Sequence, residues 1–188
     1  MKFLKLRNVL LVMMAIATLN THAQEIAGGN VSEKIVLNNE TLLLNGAGVR
    51  SKFFIDLYVG SLYLPKKGST LNAVLDSKEA IIRLNIVSGL ISSEKMQDEI
   101  EEGFESATNG KPETLKKETD TFLKMFSDEI KKTDQFTFVT SIENGVEVYK
   151  NKQLLGTIQG EAFRTALLKI WLGKEPAQTS LKEAMLGK

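Results

Sequence analysis

Between Lys52 and Leu64 nearly every residue is apolar, and a run of that length, closed by Pro65, describes a central strand covered on both faces. Asp56, Tyr58 and Tyr63 punctuate it, and Arg50 stands at its edge behind Gly46-Ala47-Gly48, which reads as a sharp turn. Alternation places Phe54, Asp56, Tyr58, Gly60 and Leu62 on one face, with Arg50 in the same parity. Phe53, Ile55, Leu57, Val59, Ser61 and Tyr63 take the other face. Gly60 in mid-strand marks a bulge or a close approach by another group. An arginine beside so apolar a strand needs a partner for its charge.

The flanking chain supplies the sheet and its cover. A loose lead-in over 25–30 precedes short strands at 34–37 and 41–44, joined by a turn at Asn38-Asn39-Glu40. A short helix over 69–75 and a strand over 80–87 follow. Ser92 or Ser93 then caps a helix in which Met96, Ile100, Phe104 and Ala107 recur at helical spacing. Asp98, Glu99, Glu101, Glu102 and Glu105 occupy its opposite side and read as a solvated face. Gly103 costs that helix about 1 kcal/mol relative to alanine, which suits a place where something passes close by.

Pro112 opens a second helix with an apolar stripe of Leu115, Phe122, Phe126 and Ile130. Three strands at 135–142, 146–150 and 154–159 form a meander, its first hairpin signalled by Asn144-Gly145. Helices over 160–172 and 180–186 complete the chain, with Gly173 stopping the first. The apolar residues of the first, Trp171 among them, read as core. Strands, two helices, strands and then helices describe an α+β domain with an antiparallel sheet under a helical layer.

Composition removes whole classes of chemistry. Lys2, Lys5 and Arg7, an apolar run over 9–17 and the small residues at Thr21-His22-Ala23 form the pattern of a secretory signal, expected to be cleaved after Ala23. One domain is then expected over 24–188, periplasmic or secreted, with no transmembrane segment. Cleavage removes three of the 24 basic residues, leaving 21 against 23 acidic ones, and the lack of a basic excess gives no sign of a nucleic-acid partner. The sole histidine, His22, leaves with the signal, and the chain has 0 cysteines. Ser-His-Asp and Cys-His catalysis and the usual zinc sites are thereby excluded from residues 24–188, and no metal or cofactor is implied. Gly46-Ala47-Gly48 lacks the lysine and hydroxyl of a phosphate loop.

Three stretches together resemble the chalcone isomerase-like family, in its short bacterial secreted branch: NGAGVRSKFFIDLYVGSLYLP at 45–65, EEGF at 101–104 and NKQLLGTIQGEAFRTALLKIWLG at 151–173. The resemblance implies an open-faced β-sandwich, a long antiparallel sheet covered by a layer of helices, with a cleft between the layers. In the plant isomerases of this family an arginine assists cyclisation of a chalcone in that cleft. In their fatty-acid-binding relatives an arginine and a tyrosine meet the ligand's carboxylate. Arg50 matches the family arginine, and Tyr58 falls where the isomerases carry a threonine. Met96 and Gly103 stand where the isomerases have a tyrosine and an asparagine, and Lys169 or Ile170 near their late hydroxyl residue, so most groups that orient a chalcone are replaced.

Two functional readings and one structural reading follow. In the first, the domain binds an apolar anion such as a fatty acid, its carboxylate held by Arg50 and Tyr58, with Phe53, Phe54, Met96, Gly103 and Phe104 around the tail. In the second it is an intramolecular lyase or isomerase in which Arg50 and Tyr58 are catalytic. In the third it is a non-enzymatic envelope protein, and Asp56 satisfies Arg50 as a structural pair.

Overall fold

The computed structural model describes residues 23–37 and 40–188; the expected signal, apart from Ala23, and two residues of the expected turn, Asn38 and Asn39, lie outside it. A seven-stranded antiparallel sheet runs in sequence order through β3 (Lys34–Leu37), β4 (Glu40–Lys52), β5 (Ile55–Leu64), β6 (Glu79–Ile86), β7 (Gln135–Ser141), β8 (Gly145–Lys150) and β9 (Gln153–Ile158). The helices α1 (Leu71–Leu75), α2 (Ser93–Ala107), α3 (Lys116–Lys124), α4 (Glu161–Leu172) and α5 (Thr179–Met185) accompany it, with a 3-10 turn at Pro112–Leu115. The α+β class and the helix-covered sheet are as the sequence implies.

The lead-in over 25–30 is instead ordered. Strands β1 (Ala23–Ile26) and β2 (Gly29–Ser32) pair as a separate ribbon. Val31 is buried, and Asn85 Nδ2 donates to the Asn30 carbonyl at 3.2 Å, which fixes the ribbon to β6. The stripe expected in the second helix also divides. Helix α3 ends at Lys124, while Phe126 and Ile130 follow it in a loop and remain buried.

A larger departure concerns the long apolar strand and its neighbour. Gly46-Ala47-Gly48 is no turn; it lies inside the 13-residue β4. A side chain at Gly46 would place Cβ 2.0 Å from the Ala184 carbonyl oxygen, and one at Gly48 would meet Ala184 Cβ at 2.7 Å. These glycines let α5 lie directly on the strand. Asn45 secures the contact, its Nδ2 donating to the Met185 carbonyl at 2.8 Å and to that of Gly68 at 2.9 Å.

The chain turns instead at Phe53-Phe54, between the paired residues Lys52 and Ile55. Both phenylalanines have positive φ, 51° and 65°, as a two-residue type I′ loop requires. Asparagine and glycine usually fill such positions, and a bulky residue in this conformation carries strain on the order of 1–3 kcal/mol.

Beneath the helices, the core includes a continuous aromatic cluster. Phe104 of α2 stacks on Phe163 of α4 at 5.2 Å between centroids and meets Phe122 of α3 edge-on at 5.9 Å. Phe122, Phe126, Phe136 and Phe138 extend it to the sheet, where Phe138 stacks on Trp171 at 5.5 Å. Gly103 allows α2 and α4 to close on one another, since a Cβ there would lie 2.9 Å from Ile170 Cγ2. The close neighbour expected at Gly103 is therefore Ile170.

Candidate functional site

The aromatic cluster does not fill the whole space between sheet and helices. A cavity of about 420 Å³ opens between β5, β6, the first half of α2 and the last turn of α4. That size lies within the range of about 300–1,000 Å³ found for small-molecule sites. Leu84, Ile91, Met96, Ile100 and Ile170 make its buried wall apolar, and Tyr58 and Trp171 close it with the only aromatic ring atoms among its buried lining residues. Lys52, Phe53, Ile55, Leu90 and Lys95, all solvent-exposed, form its rim.

Arg50 and Tyr58 come together by the hairpin rather than by alternation along one strand. They are directly opposite residues of β4 and β5, and so share a face of the sheet. Immediately beyond them the register slips, Ser51 pairing with Asp56 and leaving Leu57 as the extra residue of a bulge. That bulge breaks the parity that put Asp56 beside Tyr58. Asp56 accepts from Ser51 Oγ at 2.7 Å, and the Arg50–Asp56 pair does not form.

The partner of Arg50 is Glu99, from the helical face that reads as solvated in sequence. Arg50 Nη2 donates to Glu99 Oε2 at 3.1 Å, and Lys52 Nζ binds the other carboxylate oxygen. Arg50 Nη1 donates to the Ser51 carbonyl at 2.9 Å and to Gln178 Oε1 at 3.3 Å, so the segment before α5 also holds the guanidinium. The Arg50 side chain is 13% exposed. Burial acts to raise the Glu99 pKa, but the hydrogen bond from Lys52 and the charge of Arg50 outweigh it and hold the carboxyl below its usual range.

Tyr58 is buried, and its hydroxyl accepts from the Trp171 indole Nε1–H at 3.0 Å. Burial pushes the phenol up to about 12, against the opposing effects of the Trp171 hydrogen bond and the Arg50 charge. At neutral pH the phenol is protonated. With its oxygen already accepting, its own proton is available for donation to a ligand in the cavity.

The other expected site residues divide. Met96 lines the cavity. Gly103 faces Ile170, Phe104 belongs to the aromatic cluster, and Phe54 stands fully exposed beyond the rim. Glu99 and Gln178 enter the arrangement without any motif to announce them, and Trp171, read as core within the 151–173 stretch, adds its hydrogen bond to Tyr58. Among the described residues, no group of three or more His, Cys, Asp or Glu side chains is placed to hold a metal ion.

The sequence profile of the chalcone isomerase-like family matches residues 23–187. The chain belongs to that family. No curated protein sequence matches it. Among solved structures it is similar to a fatty-acid binding protein of Arabidopsis thaliana, with a TM-score of 0.63 and 15% sequence identity over 88% of this chain and 96% of the plant protein. At that identity the likeness establishes a shared fold. The chalcone isomerase-like sheet and helical layer thus persist while the chain retains few of the same side chains.

Proposed function

We propose that this chain is an exported binding protein for an apolar anion of the fatty-acid type, whose tail occupies the cavity and whose carboxylate meets Tyr58 and Arg50. The observation that carries the reading is the pairing of Tyr58 and Glu99 beside the apolar buried wall of the cavity. The buried phenol has a free proton, and just behind it Arg50, its cross-strand neighbour, already holds a carboxylate, that of Glu99. A ligand carboxylate would take the Glu99 position on Arg50, and Glu99 would keep Lys52. The ligand of the plant protein of similar fold is consistent with the same chemistry.

An isomerase reading is less well supported by the same atoms. A phenol raised to about 12 is a poor proton relay at neutral pH, and Arg50 is not free to stabilise a developing oxyanion while Glu99 holds it. Native mass spectrometry of the purified protein tests the proposal. Wild type should carry or take up a long-chain fatty acid, and Arg50→Ala should bind it roughly ten- to hundredfold more weakly, the value of a charge-assisted hydrogen bond. Wild type that takes up no fatty acid would refute it.

A further inference from the structure

The exposed phenylalanines of the β4–β5 hairpin have no role in the core, and only Phe53 touches the cavity, at its rim. Phe53 is 84% exposed and Phe54 wholly so, at a turn whose backbone disfavours both. Ile55 and Leu90, also exposed, continue the apolar surface to the cavity rim. Lys52 and Lys95 flank it, Lys95 Nζ donating to the Leu90 carbonyl at 3.2 Å. A protruding aromatic tip with long cationic side chains behind it is shaped for the boundary of a lipid bilayer, where rings enter the acyl region and ammonium groups stay among headgroups. A flat apolar patch would suit a protein partner better; here the apolar groups project.

We infer that the Phe53-Phe54 tip docks the cavity mouth onto a phospholipid surface. The rim carries acidic groups as well as lysines, Asp98 and Glu102 among them, so insertion of the rings rather than attraction to anionic lipid drives the contact. Docking places the opening of the cavity against the bilayer, and an acyl chain passes between them without crossing water. That transfer rests on the ligand reading above, whereas the docking itself does not.

The absence of cysteine makes the contact measurable at chosen positions. Leu90→Cys on the rim and Asn144→Cys at the β7–β8 turn, at the other end of the sheet, each receive a polarity-sensitive fluorophore. The full chain is then mixed with phosphatidylcholine vesicles. The label at position 90 is expected to shift to the blue, and that at 144 to stay unchanged. Phe53→Asn with Phe54→Gly, which suits the turn, should raise the melting temperature and lower vesicle partitioning at least tenfold; Phe54→Gly alone, beyond the rim, should leave decanoate binding in solution unchanged. No shift at position 90, or equal partitioning by the double variant, overturns the inference. A wild-type dimer that the double variant abolishes, without vesicle binding, overturns it in favour of self-association. Vesicle docking by a protein that binds no fatty acid would leave the inference standing and the ligand reading refuted.

Discussion

Helix α4 has an arginine-centred cluster at each end, and the two are built for different ends. In its first turn Arg164 is wholly buried, donating to the carbonyls of Leu75 at 3.1 Å and Ser77 at 3.0 Å and to Glu161 at 2.9 Å. Those carbonyls belong to the end of α1 and the loop after it, so the guanidinium serves as an internal cap for backbone that no helix or strand satisfies. Towards its last turn, Arg50 holds a carboxylate side chain and a glutamine, and its partner Glu99 lines the cavity together with Trp171 and Tyr58. Arg164 is wholly enclosed and bound to backbone, whereas Arg50 keeps some exposure and binds a carboxylate that lines the cavity. Fixed backbone acceptors make an arginine structural, whereas a movable carboxylate leaves it exchangeable.

The largest expected effect breaks the closed end. Arg164→Ala leaves buried carbonyls without a donor and should cost about 3–5 kcal/mol. In a domain of this size that lowers the melting temperature by roughly 10 °C, as calorimetry can check. An unchanged melting temperature would mean that the two arginines are not different in kind.

Alkaline unfolding probes the other end. Below pH 10 Tyr58 is a neutral phenol in both folded and unfolded chains, and its contribution is intact. As pH rises from 10 through its folded value of about 12, the unfolded chain ionises first, and about 2–3 kcal/mol is lost. Tyr58→Phe should remove that part of the alkaline loss; if the wild-type and variant pH profiles run parallel, Tyr58 is not held neutral by burial.

Arg50→Ala separates binding from folding. It should leave the melting temperature within a few degrees of wild type, in contrast to Arg164→Ala, because Glu99 keeps Lys52 and is not left as an unpaired charge. The smallest effect belongs to Glu99→Gln, which removes the competing carboxylate and should tighten fatty-acid binding about two- to fivefold by titration calorimetry. Weaker binding in that variant would show that Glu99 assists the ligand instead of giving way to it. The carboxyl is held below its usual range, so the competition persists at neutral pH and fades only in acid, as pH falls through that lowered value.

Much of the sheet is legible in the sequence, because period-two patterns and turn residues such as Asn144-Gly145 act locally. The β4–β5 hairpin is not, since Phe53-Phe54 carries no turn chemistry and Gly46-Ala47-Gly48 imitates it. What those glycines answer to is Ala184, far along the chain. Arg50 and Tyr58 are recognisable as a pair by family resemblance, yet their register depends on a bulge that apolar periodicity does not report. Glu99 is one acid among several on its helix, distinguished by lying opposite Arg50 and Lys52. Trp171 reads as core, and it is core; its hydrogen bond to Tyr58 needs the two elements docked.

The seating of α5 on the glycines of β4 also sets the timing of assembly. Asn45 holds the Met185 carbonyl across 140 positions of sequence, and Gln178 receives hydrogen bonds from Arg50 and the Ser51 amide. The site therefore lacks one support until Gln178 and α5 have docked on β4. Closure of the site thus waits on a contact of long sequence separation, and deleting residues 179–188 would uncover Gly46 and Gly48 of β4, the second of the seven strands.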